Sequence, residues 1–231
     1  MLKYKYLFFD LDHTLWDFDA NEQISLKELF IKYKINNYFD TFDLFFELYK
    51  PINDSLWREY SRGNISKKTL TTDRFHQTFK LKNLDNKEFA IKFGKEYIAL
   101  NSSQTSLIPY ATELLEYLKS KKYEMYIITN GFIETQYKKL EASKLDRYFK
   151  KMYISEEIGY KKPHRSFFEY SIKSSNAIKK RSLVIGDNLE ADIIGAQNFG
   201  LDHVYYNPNN TPHEITVFKE IDSLKELIGW L

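Results

Sequence analysis

The sequence of 231 residues contains no cysteine, which excludes disulfide frameworks and zinc sites built on thiolates. Glycine and proline are scarce, at 8 and 5 residues, which argues against a fibrous or disordered chain. The 34 basic and 32 acidic residues nearly balance and form no long block of one sign, so we expect neither a nucleic-acid polymer nor a membrane surface as a partner. No apolar run reaches the roughly 18 residues needed to span a bilayer.

Acidic residues interrupt the opening segment, MLKYKYLFFDLD, before the apolar stretch of a signal peptide could form. Since the sequence offers neither a signal peptide nor a membrane span, the expected location is the cytoplasm. Tyrosine and phenylalanine occur 18 times each, so side chains for a sizeable core are plentiful. The composition therefore predicts a globular cytoplasmic protein, and it leaves the oligomeric state open.

Five segments have the composition of buried strands. They are YLFF (6–9), YEMYIIT (123–129), KMYIS (151–155), RSLVIGD (181–187) and DHVYYN (202–207). Helical patterns precede or separate the later strands, at 110–121, 132–143, 165–176 and 189–199. Pro109 suits the first position of the first of these helices, and Gly200 suits the end of the last. This alternation predicts the α/β class, with a Rossmann-like, mostly parallel sheet covered by helices on both faces.

The region from 19 to 100 breaks this alternation. Its apolar residues recur at helical spacing and predict four or five helices and no strand. We therefore predict two domains. Residues 1–18 and 101–231 form the α/β core, and residues 19–100 form an inserted α-helical cap that covers the end of the first strand like a lid.

Reactive side chains follow most of the predicted strands. The first strand ends in Asp10 and Asp12, although burial and mutual repulsion both raise the free energy of two like charges there. In an open parallel sheet, ligands bind at the carboxyl ends of the strands. The other reactive strand ends carry Thr129, Asn130 and Gly131, then Lys161 and Lys162, then Asp187 and Asp192.

This set of residue types fits phosphoryl transfer. One carboxylate can attack phosphorus to form an aspartyl-phosphate. A second, two residues along, can protonate the leaving oxygen and later accept a proton from water. Several acids around one point repel one another unless a hard cation lies among them, and Mg²⁺ with oxygen ligands fits that need. A hydroxyl, backbone N–H groups and one lysine would hold the transferring oxygens.

Four motifs in chain order, FFDLDHT, IITNG, GYKKP and VIGDNLEAD, resemble those of the haloacid dehalogenase-like (HAD) hydrolase superfamily. The inserted helices resemble that superfamily's cap, so the resemblance covers nearly the whole chain. It implies Asp10 as nucleophile, Asp12 as acid and base, and Lys162 as the charge-neutralising lysine. Thr129, with Asn130 and Gly131, would bind the phosphate. The ligands around Mg²⁺ would be Asp10, the backbone carbonyl of Asp12, Asp187 and the supporting Asp192.

Asp12 distinguishes two chemistries within this superfamily. Dehalogenating members replace the second acid of the first motif, so its presence implies a phosphatase that acts on a small phosphate ester. The segment 50–66, KPINDSLWREYSRGNIS, together with TNGF and ISEEIGYKKP, resembles a pyrimidine 5′-nucleotidase-like branch. The implied substrate is a nucleoside 5′-monophosphate, with a sugar-phosphate phosphatase or mutase as the alternative. A non-enzymatic, receiver-like phospho-acceptor is the alternative from another class, although such domains are shorter and lack the second acid and the insertion.

Three cap residues have two interpretations each. Trp57 and Tyr60 could form a stacking platform for a base, or they could belong to the core of the cap. Arg62 lies beside a glycine at a predicted helix end. It could present its guanidinium to the substrate or lie at an ordinary helix terminus on the surface.

Several residues of the motifs are also ambiguous. His13 could touch the substrate, or it could pack or cap locally. Lys161 precedes Lys162, and the residues alone do not separate the two, since Lys-Lys-Pro is usually a solvated loop. Asp192 could instead stabilise the first turn of its helix, where the helix dipole favours acids. Asn188 could orient a metal ligand.

Overall fold

The computed structural model describes residues 3–231, which form two compact units. One unit contains the residues up to Asp19 together with Thr105–Leu231, and the other is Ala20–Gln104. We call them the core unit and the helical unit. The domain boundaries at 18 and 100 stay predictions. Within the described residues, no helix has both the length and the apolar character needed to cross a membrane.

The core unit is built on one sheet of six parallel strands in the order β3-β2-β1-β4-β5-β6. The strands are β1 (Tyr6–Phe9), β2 (Glu124–Thr129), β3 (Lys151–Ile154), β4 (Ser182–Gly186), β5 (Asp202–Tyr206) and β6 (Lys219–Ile221). The first five match the predicted strands. The short edge strand β6 was not predicted, because only Ile221 of its three residues is buried.

Five helices accompany this sheet in the core unit, and four others belong mainly to the insertion. The insertion contains α1 (Phe18–Lys32), α2 (Phe42–Ser61), α3 (Lys67–Lys80) and α4 (Lys87–Asn101). The sheet is accompanied by α5 (Ala111–Ser120), α6 (Ile133–Ala142), α7 (Ser155–Ile158), α8 (Arg165–Ser174) and α9 (Gly195–Phe199). The parallel sheet and its helices confirm the predicted α/β class with a Rossmann-like core and a helical insertion.

Two apolar layers cover the two faces of the sheet, as the period of two along each strand requires. Leu7 and Phe9 of β1 belong to the layer that includes Leu114 of α5. Tyr6 and Phe8 point the other way, into the layer that includes Phe167 of α8. Because both faces of β1 are buried, the strand is apolar at every position, and its first polar residue comes where the strand ends.

The helical unit has its own aromatic core. The rings of Phe45, Phe75, Phe79 and Phe93 are fully buried within it. Ser66 and Asn86 accept hydrogen bonds from the first turns of α3 and α4, which fixes where these helices begin. Four helices, with one short 3-10 turn at Ile35–Asn37, agree with the predicted number and with the predicted absence of strands in this region.

Three local features differ from what the sequence indicates. A proline usually breaks a helix, but α2 continues through Pro51, with Tyr49 buried before the proline and Asn53 buried after it. Pro109 does not open α5, which begins at Ala111 after Tyr110 in a left-handed conformation with φ 67°. The predicted helix 189–199 consists of a π-helical stretch, Leu189–Ile194, followed by α9, and Gly200 ends it with φ 82°, as expected.

Candidate active site

The polar residues that follow β1, β2 and β4 lie at one edge of the sheet. In the parallel register Phe9 of β1 is level with Ile127 of β2 and Ile185 of β4. The strand order reverses at β1, since the chain proceeds to β2 on one side and later returns to β4 on the other. The carboxyl ends of the three strands therefore meet at the topological switch point, where open α/β sheets bind ligands.

Lys162 connects the residues of this edge. Its side chain is buried, and its ammonium group donates to Asp10 Oδ1 at 2.6 Å, to Asp192 Oδ1 at 2.6 Å and to the carbonyl of Ile128 at 2.9 Å. Asn130 holds the backbone of Lys162 through two hydrogen bonds of 2.9 Å, one donated by its amide and one accepted. The structure therefore places Lys162 at the acidic residues, as the resemblance implied in preference to Lys161.

Asp10, Asp187 and Asp192 form a compact group of acids. Each offers one carboxylate oxygen, and these oxygens lie within 4.8 Å of one another. Asp187 accepts a hydrogen bond of 2.9 Å from the hydroxyl of Thr14. Gly186 leaves room for the group, because a Cβ there would lie 2.4 Å from Asp192 Oδ2.

Electrostatics favour a cation in this acidic group. Burial raises the pKa of the Asp10 carboxyl well above its ordinary value, against the opposing effect of Lys162. Burial likewise raises the pKa of Asp187 to about 6. The ammonium group of Lys162 contacts Asp10 and Asp192, and the positive charge of His13 acts on Asp187, so three carboxylates face two positive charges and negative charge remains in excess. Hard oxygen donors with excess negative charge match the preference of Mg²⁺, and these residues therefore fit that ion.

Asp12 lies outside this group, and its carboxylate is bound by helix α6. Lys139 Nζ lies 2.5 Å from Oδ1, and Gln136 Nε2 lies 2.8 Å from Oδ2. Burial alone would raise the pKa of Asp12, but Lys139, together with Gln136 and His13, more than offsets it, so the pKa lies below its ordinary value. The metal ligand predicted at Asp12 is its backbone carbonyl, not this carboxylate, and it stays a prediction.

The phosphate ligands implied by the resemblance have different surroundings. The hydroxyl oxygen of Thr129 accepts from the backbone N–H of Gly131 at 3.0 Å and from Gln136 Nε2 at 2.7 Å. Within the described residues its own O–H donates to no acceptor, and its binding of a phosphoryl oxygen stays a prediction. Gly131 makes space for Gln136, since a Cβ at 131 would lie 1.9 Å from Nε2. Asn130 directs its side chain to the backbone of Lys162, so its binding of phosphate stays a prediction.

The remaining predicted site residues make local contacts within their own units. His13, with φ 63°, places Nδ1 3.6 Å from Asp19 and its ring against that of Phe18. The backbone N–H of Asn188 donates a hydrogen bond of 3.2 Å to Asp192 Oδ2, so Asn188 helps to orient one member of the acidic group.

In the helical unit, Trp57 packs edge-on against the buried ring of Tyr60, with the ring centres 5.8 Å apart. Arg62 caps the end of α2, is exposed, and lies 3.4 Å from Glu59. Contact of these residues with a substrate stays a prediction.

Sequence reasoning missed Lys139 and Gln136. They lie three residues apart on α6, so they share one helix face, and both are buried. The usable signal was their position on the helix that directly follows the reactive end of β2. It was masked because Lys138 and Lys139 are identical in type, and a Lys-Lys pair on an amphipathic helix is normally solvated.

The fold and the site together define an α/β enzyme with a carboxylate and lysine centre at the switch point of its sheet. Residues 4–200 match the family model of the haloacid dehalogenase-like hydrolases. The pyrimidine 5′-nucleotidase PynA of Streptococcus pneumoniae is 33% identical over 99% of this chain and 95% of its own length. The pyrimidine 5′-nucleotidase YjjG of Escherichia coli is 31% identical over 98% of this chain and 97% of its own length.

A solved structure extends these similarities to the whole fold. The HAD-hydrolase YfnB of Bacillus subtilis, bound to magnesium, is 33% identical, has a TM-score of 0.87 and covers 99% of both chains. The chain therefore belongs to the haloacid dehalogenase-like hydrolase family, and it is a phosphoric monoester hydrolase. The resemblance to this superfamily and to its pyrimidine 5′-nucleotidase-like branch is confirmed.

Proposed function

We propose that the protein is a Mg²⁺-dependent nucleoside 5′-monophosphate phosphatase that prefers pyrimidine nucleotides and forms an aspartyl-phosphate on Asp10. The separation of two carboxylates at one sheet edge carries this proposal. Asp10 lies in the buried acidic group bound by Lys162, whereas Asp12 lies outside it and is bound by Lys139. This separation supports Asp10 as the group that attacks phosphorus and Asp12 as the group that exchanges protons. The relatives named as pyrimidine 5′-nucleotidases support the choice of substrate.

The acidic group would hold the magnesium ion. Asp10, Asp187 and Asp192 supply three clustered carboxylate oxygens, and we propose the backbone carbonyl of Asp12 as a further ligand. When bound, Mg²⁺ would neutralise charge on the phosphoryl oxygens and help to orient them. The proposed partner is a small phosphate ester, and the cytoplasm stays the expected location.

The reaction divides into two halves that use the same two acids. In the first, the Asp10 carboxylate attacks phosphorus, the bond from phosphorus to the leaving oxygen breaks, and that oxygen takes a proton from Asp12. In the second, water attacks the phosphorus of the aspartyl-phosphate and gives a proton to Asp12, and the bond from phosphorus to Asp10 breaks to release phosphate. Thr129 donates its O–H to a phosphoryl oxygen, and Lys162 offsets the developing charge.

Lys139 holds Asp12 as a carboxylate, which is the form that the second half-reaction needs. The first half-reaction needs the protonated form instead. A phosphate dianion close to Asp12 favours that form, since like charges raise the pKa of a carboxyl group. Substrate binding would therefore load Asp12 with the proton that it then delivers.

Asp12→Ala tests the division of roles. We expect release of an alkoxide, as from a nucleoside 5′-monophosphate, to fall by about 100-fold or more, because a strongly basic leaving group needs a proton. The first-turnover release of p-nitrophenolate should fall by less than about tenfold, because this leaving group needs little protonation. Rapid-quench measurements on both substrates, with decay of the phosphoenzyme followed separately, check the prediction. Equal losses on both esters with unchanged phosphoenzyme decay would contradict the acid–base role.

Selectivity among esters requires groups beyond those that act on the phosphoryl group. We propose that Trp57 and Arg62 of the helical unit recognise the leaving group, with Tyr60 supporting the ring of Trp57. Trp57 offers a flat surface for a base and Arg62 offers an exposed guanidinium. Stacking of a base on an aromatic side chain contributes roughly 1–3 kcal/mol, or about 5- to 150-fold in preference.

We therefore expect pyrimidine nucleoside 5′-monophosphates to exceed hexose phosphates in kcat/KM by about 5- to 150-fold. Trp57→Ala should reduce this preference by lowering kcat/KM for the nucleotide. Hydrolysis of p-nitrophenyl phosphate should stay within about threefold of the wild-type rate, because a small ester does not need the platform. Steady-state kinetics on the three esters, with a thermal melt of the variant, measure this. A wild-type preference for sugar phosphates, or a variant that merely unfolds, would rule out the platform.

A further inference from the structure

Lys139 is unusual for a lysine because its side chain is buried. It belongs to α6, its side chain is 5% exposed, and its ammonium lies 2.5 Å from Asp12 Oδ1. On its other side the ammonium lies 4.2 Å from the ring centre of Trp16 and 5.2 Å from that of Phe18. One carboxylate and two aromatic faces therefore replace the water that a lysine normally keeps.

Gln136, one turn earlier on α6, completes the set. Its amide nitrogen carries two N–H groups, and these donate to Asp12 Oδ2 at 2.8 Å and to Thr129 Oγ1 at 2.7 Å. Because Gly131 has no side chain, the amide group of Gln136 fits beside it. Both oxygens of Asp12 are thus fixed by one helix, and the same amide ties Asp12 to the hydroxyl of Thr129.

Stability alone does not explain this arrangement. A buried ion pair is on average no more stabilising than apolar side chains of the same size, because both charges lose their hydration. A methionine at 139 would keep the contact with the rings of Trp16 and Phe18 without a charge to bury. The pair instead gives Asp12 one orientation, which is what a group that exchanges protons with two different oxygens requires.

We propose that Lys139 is a positioning residue for the proton transfers of Asp12, with Gln136 as its second support. This inference rests on the proposed function. In the first half-reaction Lys139 keeps the Asp12 carboxyl aimed at the leaving oxygen as its proton departs and the bond from phosphorus to that oxygen breaks. In the second it holds the carboxylate that takes the proton of the attacking water. Lys139 acts only through Asp12.

Lys139→Met tests the proposal with p-nitrophenyl phosphate and a nucleoside 5′-monophosphate. With p-nitrophenyl phosphate we expect a burst of p-nitrophenolate within about fivefold of the wild-type rate. The steady state that follows should be about 100-fold slower than that of the wild type, because with this ester only hydrolysis of the phosphoenzyme needs Asp12. With the nucleotide the first turnover itself should fall about 100-fold. Lys139→Arg keeps the charge and should recover activity to within about tenfold of the wild type.

Two comparisons separate positioning from a general disturbance. Lys180→Met removes an exposed lysine from the same unit and should match the wild type in both phases. In an Asp12→Asn background, Lys139→Met should cost less than about twofold more, since residues that act as one unit are not additive. Losses that multiply in the double variant, or equal losses in burst and steady state, overturn the proposal.

The same experiment distinguishes this inference from the proposed function. A wild-type protein that forms no phosphoenzyme and hydrolyses none of the esters overturns the proposed function, and this inference with it. Normal wild-type turnover with an unaffected Lys139→Met overturns the positioning role alone. Lys139→Gln is the second variant that removes the charge, and if both it and Lys139→Met fail to unfold cooperatively in a thermal melt, Lys139 serves stability and the proposal is overturned.

Discussion

We expect Asp10→Asn to lower kcat for every phosphomonoester by at least about 100-fold, because an amide is a poor nucleophile toward phosphorus. The fold should persist, since Lys162 keeps its bonds to Asp192 and to the carbonyl of Ile128. The raised pKa of Asp10 means that folding disfavours its charged form, so stability is lost as the pH rises through the range between the unfolded and folded pKa values. A neutral amide avoids this loss, and the melting temperature in metal-free buffer at neutral pH should not fall.

Rapid-quench kinetics and trapping of the phosphoenzyme measure this result. Asp222→Asn is the matched control, because it removes an exposed carboxylate from the same unit and should leave both the activity and the phosphoenzyme unchanged. If purified Asp10→Asn keeps more than about a hundredth of the wild-type activity, or still forms an acid-stable, base-labile phosphoenzyme, another residue is the nucleophile.

Chelation of divalent metal is expected to stop turnover, with a loss of at least about 100-fold that added Mg²⁺ reverses. The physical reason is the excess of negative charge on Asp10, Asp187 and Asp192, which the positive charges of Lys162 and His13 do not fully balance. Ca²⁺ should restore little activity, because it accepts more ligands at longer distances and would misplace the nucleophile. Assays in EDTA, followed by titration with each metal, give the comparison.

A second measurement tests the metal site without turnover. Mg²⁺ should raise the melting temperature of the wild type, since an ion that binds only the folded state stabilises it. Asp187→Asn should remove most of this shift and leave the metal-free melt similar, and Asp222→Asn should keep it. Undiminished activity in excess EDTA, or a shift that survives in Asp187→Asn, would exclude the acidic group as the metal site.

The reactive residues at the strand ends could be predicted because a strand buried on both faces is easy to recognise in a sequence. Both faces of β1 and β4 are covered, so their residues are apolar without alternation, and a carboxylate directly after such a run stands out. Parallel pairing then brings Asp10, Thr129 and Asp187 to one edge whatever the details of the loops between them. Gly186 and Gly131 were harder to interpret, since their function is to leave room for Asp192 and Gln136 and no local pattern shows which neighbour needs the space.

The supports on α6 could not be predicted for a different reason. Whether Lys139 is solvated or buried depends on how α6 rotates against the sheet, and tertiary packing decides that rotation. Local propensity was overridden in the same way at Pro51, where α2 continues because its flanking turns are buried. The roles of Trp57 and Arg62 depend on the substrate, which the sequence does not contain.

The ammonium group of Lys162 has a consequence for the release of product. All three of its N–H donors are engaged, by Asp10, by Asp192 and by the carbonyl of Ile128. For Lys162 to donate to a phosphoryl oxygen, one of these hydrogen bonds must break. The binding free energy of the anion then includes only the difference between the new hydrogen bond and the broken one. If Lys162 binds phosphate as proposed, free phosphate would compete with the protein's own acceptors for the same donors, and the internal bond would form again when phosphate leaves. The occupied donors of Lys162 would then weaken the binding of product and favour its release.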